Sequence, residues 1–243
     1  MSTLPADSHS TPRKTATFVV RFVIGLIFFI AAFGVVLFLG AGTFRWWRGW
    51  VFLGVLLVAY MITMLVVLRD REEILNERFK PPIQEGQPFL DKILTVVLIA
   101  GFLGLIVFIP LDVFRLQLMG GPGLVIAAIG LALLAAGWWI MSLALRDNPF
   151  AAPVVRHQEE RNQRVVDSGV YSVVRHPMYA GAVLLFIGMP LWLGSYAGVL
   201  LALLPIATLV LRILLEERFL KRELRGYDAY TKRVRHRLIP PVW

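Results

Sequence analysis

The residues able to do chemistry gather in the last hundred positions of the chain. From Gly169 to Gly181 the sequence reads GVYSVVRHPMYAG, so Arg175 and His176 stand directly before Pro177 and a long apolar run. Pro177 suits a first helical turn, where its missing N–H costs nothing. Tyr179 suits a membrane interface, Gly181 permits close helix approach, and Arg175 fits the positively charged edge of a span. His176 has no such topological duty, and an imidazole is not the usual capping group. Two readings stay open: membrane anchoring, or a place where something anionic or electron-rich is held.

Glu216 and Glu217 come next, within LRILLEERFLKRE at 211–223. Arg212–Glu216 and Glu217–Lys221 are both at i,i+4, so ordinary pairing on a helix surface accounts for them. Two adjacent acids at the end of a span are less ordinary, because a charge there is costly and often functional. They could accept hydrogen bonds from a ribose or hold a cationic group. The tail GYDAYTKRVRHRLIPPVW at 226–243 carries Tyr227, Tyr230, Arg233, Arg235 and Arg237, followed by a Pro-stiffened apolar end. It can lie on anionic lipid, or dock on the rest of the protein. Asn148, in RDNPF, is a turn residue or a ligand. His157, Glu159 and His176 match no metal-ligand spacing, so no metal is expected.

These residues must be positioned by membrane helices. The chain is 58% hydrophobic, above the roughly 45–50% of soluble domains, and its mean hydropathy is +0.70. About 20 apolar residues cross the ~30 Å hydrocarbon layer. Six runs qualify, near 18–40, 47–68, 93–111, 123–145, 178–194 and 197–215. The last two are joined by LGSYAG, short enough to force a helical hairpin. Pro110, Pro190 and Pro205 lie within or at the ends of spans and should kink or end them. Trp46, Trp47 and Trp50 mark a span edge as an aromatic belt.

The formal net charge is +9, and with the spans alternating in direction 22 of the 25 Lys and Arg residues fall on one side, leaving Arg45, Arg48 and Arg115 opposite. The positive-inside rule places both termini and the two long loops in the cytosol. The same distribution explains the basic charge without a nucleic-acid partner. With no cysteine, disulfides and S-lipidation are excluded. The expected architecture is an all-α polytopic membrane protein of about six spans with a C-terminal hairpin. It divides into a disordered arm at 1–16, a four-span region at 17–145 and a cofactor-binding and catalytic region at 146–243. A bacterial inner (plasma) membrane suits the short N-terminus and the lack of targeting signals, with the ER as the alternative.

Taken together, the GxY before Arg-His-Pro-x-Tyr, the paired glutamates and the Tyr-x-x-Tyr-x-x-Arg-Val tail resemble the isoprenylcysteine carboxyl methyltransferase family. That family lies in a wider group of membrane methyltransferases that includes phospholipid N-methyltransferases. The likeness covers about residues 146–243. It implies S-adenosylmethionine as cofactor, in a pocket closed by the hairpin, the loop before it and the tail. By the same resemblance Asn148, Tyr171, His176, Tyr179, Gly181, Glu216, Glu217 and Tyr230 are cofactor-binding residues. Arg175 and Arg233 are then the arginines for a substrate carboxylate, with Arg235 or Arg237 taking that part if the tail register slips. The implied acceptor is a lipophilic small molecule or lipidated carboxylate at the bilayer, with a small thiol or a phospholipid amine as the alternative. A carboxylate acceptor needs no general base, whereas a thiol or amine must lose a proton. Two readings of another class remain: a sterol-reductase-like enzyme using NADPH, and a membrane protein without catalysis.

Overall fold

The computed structural model describes residues 11–67, 74, 80–151, 154 and 161–243. Among the described residues seven α-helices follow in order: α1 (Thr11–Ala41), α2 (Trp47–Ile62), α3 (Phe89–Leu111), α4 (Leu124–Asp147), α5 (Pro177–Leu193), α6 (Tyr196–Glu223) and the short α7 (Tyr227–Arg233). No strand occurs among the described residues. Helices α1, α2, α3, α4 and α6 are long and apolar enough to cross a membrane, and α5 is a shorter apolar helix of 17 residues. That length is at the lower limit of a span. Large apolar side chains such as Ile27, Phe28, Val66, Leu103, Val125 and Leu203 point outward. An apolar exterior of this extent suits hydrocarbon rather than water. The chain is an integral membrane protein.

The six apolar runs are matched by α1 to α6, with differences at the ends. Helix α1 starts at Thr11, so 11–16 are helical where an irregular arm was expected, and 1–10 lie outside the described residues. Helix α2 runs on through a π-helical turn at Thr63–Val67, and α3 through another at Asp112–Leu116. Pro110, Pro190 and Pro205 all sit inside helices rather than ending them. Trp47 and Trp50 are exposed as the belt requires, but Trp46 turns inward and packs edge-on against Phe38 and Phe114.

Helices α4 and α5 lie antiparallel with backbone against backbone. A Cβ placed on Gly137 would come within 2.5 Å of the Gly181 carbonyl oxygen, and one on Gly181 equally close to that of Gly137. One interlock further along, a Cβ on Gly188 would meet the Gly130 oxygen at 2.5 Å. Glycines seven residues apart on each helix thus face each other in register. This is how small residues let membrane helices meet without a hydrophobic driving force between them. Gly181 therefore serves the helix contact.

At one end of the bundle, polar ties hold the turns together. Ser195 Oγ donates to the buried Asp112 Oδ2 at 2.6 Å, the Leu118 amide donates to Asp112 Oδ1 at 3.0 Å, and Trp192 Nε1 donates to the Arg48 carbonyl at 2.9 Å. The other end carries Asp91, Asp147, His176, Glu217 and the tail, and there the helices enclose a cavity.

Candidate active site

The cavity occupies about 350 Å³, within the range of small-molecule sites. It has two parts. Asn148, Gln163, Arg164, Tyr171, Arg175, His176, Tyr179, Glu216, Tyr227 and Tyr230 make a polar chamber. Leu98 and Ile99 of α3, Met141 of α4, Ala182 and Phe186 of α5 and Leu209 of α6 line an apolar arm between the spans.

The chamber is held from below by one carboxylate. Arg175 Nε donates to Glu217 Oε1 at 2.7 Å, Arg237 Nε donates to Glu217 Oε2 at 3.1 Å, and His176 Nε2 lies 3.3 Å from Oε1. The Arg175 and Glu217 side chains are 5% and 6% exposed. A buried charge is tolerable only when paired and further hydrogen-bonded. Arg175 meets that condition through Nη1, which donates to the carbonyls of Val234 (2.7 Å) and Arg235 (2.8 Å). The backbone joins in: the Arg175 and His176 amides donate to the His236 and Arg237 carbonyls, each at 3.0 Å. The tail is docked, as its apolar end anticipated, and the Arg237 guanidinium lies over the Trp243 ring.

The two glutamates therefore do different work. Glu217 is buried in ion pairs behind the cavity wall, where it braces Arg175, His176 and the tail. Glu216 does line the cavity, and Tyr179 Oη donates to its Oε2 at 2.6 Å. The Tyr179 ring stacks nearly parallel on His176, at 13° and 5.6 Å between centroids. Arg212 and Glu216 still feel each other's charge, as the i,i+4 reading expected, but in the cavity wall rather than on a helix surface. Arg212 is buried too, donating from Nε to Asp91 Oδ1 of α3 at 2.9 Å.

The other expected residues sort similarly. Asn148 ends α4 and accepts from the Phe150 amide at 2.9 Å, with its side chain in the cavity wall. Tyr230 Oη donates to the Tyr171 carbonyl at 2.8 Å, fastening α7 to the turn at Gly169–Ser172. Desolvation by burial raises the phenols of Tyr227 and Tyr230 above the ordinary tyrosine value, so both stay neutral. Gly169 adopts φ +58, and a Cβ there would run into the Asp147 carboxylate, which accepts from the Val170 amide at 3.0 Å. Only glycine fits both demands. Arg233 is the departure. It is 65% exposed, pairs with Asp167 on the surface, and lies outside the cavity wall. Its place at the end of α7 turns it away from Glu217, and Arg237 is the tail arginine that reaches the buried cluster. Among the described residues no group of acids and histidines converges as a metal site; His157 and Glu159 lie outside the described residues.

Residues 125–225 match the family model of phospholipid methyltransferases. The match runs from the start of α4 to the end of α6 and takes in Asn148, Tyr171, Arg175, His176, Tyr179, Glu216 and Glu217. It leaves out the first three spans and α7. The similarity, over less than half of the chain, indicates a membrane methyltransferase. No curated protein matches the chain.

Sequence reasoning passed over Asp91, Gln87 and Thr95, which form a buried polar cluster with Arg212. Gln87 Nε2 donates to Asp91 Oδ2 at 2.6 Å and to Thr95 Oγ1 at 3.2 Å. The available signal was a pair of opposite charges inside apolar helices, Asp91 in α3 and Arg212 in α6, since such charges seek each other.

Proposed function

We propose that this chain is an S-adenosylmethionine-dependent methyltransferase acting on a lipophilic acceptor, with a carboxylate as the methylated group. The observation that carries the reading is the two-part cavity. Polar side chains near the tail and apolar side chains of α3 to α6 line the same cavity, so a water-soluble cofactor and a membrane-dissolved acceptor can meet there.

The chamber's chemistry suits the cofactor. A sulfonium and an α-amino group call for an anion, and Glu216 supplies one in the wall, oriented by Tyr179. A carboxylate calls for a cation, and Arg164 stands exposed at the rim. The stacked His176–Tyr179 pair and the Tyr227 and Tyr230 rings offer flat surfaces for a base. When bound, S-adenosylmethionine supplies an electrophilic methyl group. The chain's own part is to position the acceptor in line and to exclude water. Glu217, Arg175 and Arg237 hold the tail across the chamber for that purpose.

A phospholipid amine is the second reading, favoured by the family match and by the carboxylate of Glu216, which suits an ammonium and could take its proton. Calorimetry on the detergent-purified chain tests the common core: S-adenosylmethionine should bind, and NADPH should not. Absence of binding at high micromolar ligand to folded protein would remove the proposal. Labelled methyl transfer to matched lipophilic acids, thiols and amines then separates the acceptors.

A further inference from the structure

His176 stands in the cavity wall with only 5% of its surface exposed. Its Nε2 lies 3.3 Å from Glu217 Oε1. Glu217 is paired with the guanidiniums of Arg175 and Arg237, and a carboxylate held in such pairs is an acceptor only. Nε2 therefore carries the proton of the neutral ring, and Nδ1 carries the lone pair. That lone pair has no partner. His176 stands at the cap of α5 without a side-chain hydrogen bond to the helix amides, and among the described residues no group donates to Nδ1. The backbone amide of His176 is itself spent on the Arg237 carbonyl.

The ring is held on two sides. Tyr179 covers one face, stacked at 13°, and is itself fixed by its bond to Glu216. The charged groups around the ring are Arg175 beside it, Glu217 of α6 and Arg237 of the tail. A buried acceptor without a donor bears an uncompensated desolvation cost. A helix start gains more from Ser, Thr, Asp or Asn than from an imidazole. Packing and capping thus leave the lone pair unexplained. A carboxylate acceptor leaves it unexplained as well, since it has no proton to give. An imidazole with one nitrogen bonded to a carboxylate and the other bare is the arrangement that takes a proton from a substrate. The carboxylate fixes the tautomer and stabilises the imidazolium that forms.

We propose that His176, oriented by Glu217, is the general base for a second class of acceptor, one whose nitrogen or sulfur must give up a proton before it is methylated. His176 is the catalytic residue and Glu217 a positioning residue. The inference rests on the methyltransferase reading and widens the acceptor beyond a carboxylate. The N–H or S–H bond of the acceptor breaks, its proton passes to Nδ1, and the electron pair stays on nitrogen or sulfur. That pair forms the new bond to the methyl carbon, while the bond from that carbon to the sulfonium sulfur breaks and leaves its electrons on the sulfur. For an alkylammonium and for a thiol alike, the positive charge of the sulfonium reappears on His176, beside the Glu217 carboxylate. The proton then leaves to water.

The first test needs no turnover. The full chain in detergent is titrated with dodecanethiol, with and without S-adenosylhomocysteine, which has no methyl group to give. The wild type should show the ultraviolet absorbance of a bound thiolate at neutral pH, as thiols paired with an imidazole do. His176→Gln, whose amide can still donate to Glu217, should not. No thiolate in the wild type, or an equal signal in the variant, overturns the proposal. Glu217→Gln keeps the shape and removes the charge, so the thiolate signal should fall there too; an unchanged signal makes Glu217 a brace alone and overturns its positioning role. The second test compares methyl transfer to laurate, dodecylamine and dodecanethiol, which share one chain and differ in the head. In His176→Gln, kcat/KM for the amine or the thiol should fall about 100-fold further than for laurate, the lower end of a general base's contribution. Equal losses overturn the proposal, and the wild type's preference between amine and thiol identifies the source. Should a variant fail to fold, wild-type transfer to the amine or thiol should slow in heavy water more than transfer to laurate, and equal slowing overturns the proposal. If the wild type binds S-adenosylmethionine and methylates laurate alone, the base role falls and the methyltransferase reading stands. If neither cofactor form binds but the thiolate still depends on His176, the methyltransferase reading falls and the proton-accepting site stands.

Discussion

Glu217 holds Arg175 at 2.7 Å from one carboxylate oxygen and Arg237 at 3.1 Å from the other. One side chain of α6 thereby joins the start of α5 to the tail. Glu217→Ala should leave Arg175 buried beside no counter-charge, and breaking such a pair costs about 3–5 kcal/mol. Thermal unfolding of the detergent-solubilised chain measures it. A midpoint within a degree or so of the wild type would show that the ion pairs do not fasten the tail.

Glu216 and Tyr179 line the chamber without anchoring the tail. Glu216→Gln removes a charge and keeps the shape. We expect S-adenosylmethionine affinity to fall about tenfold, the weight of a hydrogen bond to a charged group, with thermal stability little altered. Calorimetry on the variant checks this, and wild-type affinity would remove Glu216 from the cofactor's surroundings.

The contact between α4 and α5 has no room for a side chain. Gly137→Leu, which drives a branched chain into the backbone at Gly181, should destabilise strongly, beyond the roughly 1–3 kcal/mol typical of overpacking. Yield of folded, monodisperse protein and its unfolding midpoint are the measures. Gly54→Leu is the control, since a Cβ at Gly54 meets nothing within 4 Å.

Tyr227 and Tyr230 carry a pH signature. Burial raises both phenols, so the folded chain keeps protons that the unfolded chain releases near pH ~10. Their contribution is complete below about that pH and is lost as pH rises above it, because the unfolded state then binds fewer protons. Absorbance titration at alkaline pH should show these two phenols ionising only with unfolding. Tyr230→Phe, which also loses the bond to the Tyr171 carbonyl, should reduce stability by about 1 kcal/mol at neutral pH.

The spans were legible because hydrocarbon imposes length and composition on every run, and the prolines inside α3, α5 and α6 do not interrupt that signal. Gly169, Arg175, His176 and the adjacent glutamates were legible as a group through their order along the chain. What separates Glu216 from Glu217 was not, because neighbours on a helix point about 100° apart and only the packed tail decides which one is covered. Arg233 and Arg237 are four residues apart with α7 ending between them, so the turn after α7 determines which guanidinium reaches Glu217. Asp91 and Arg212 are far apart in the sequence, and pattern within one helix carries no information about a partner on another.

The in-register glycines of α4 and α5 have a mechanical consequence. Two rods touching main chain to main chain cannot slide, since any shift drives a Cβ or a side chain into a carbonyl. The pair therefore behaves as a keyed plank that bears Asn148 at one edge and His176 and Tyr179 at the other. When the surrounding lipid thickens or thins, this pair tilts as one body rather than shearing. The spacing between Asn148 and His176 is then insulated from the membrane in which it works.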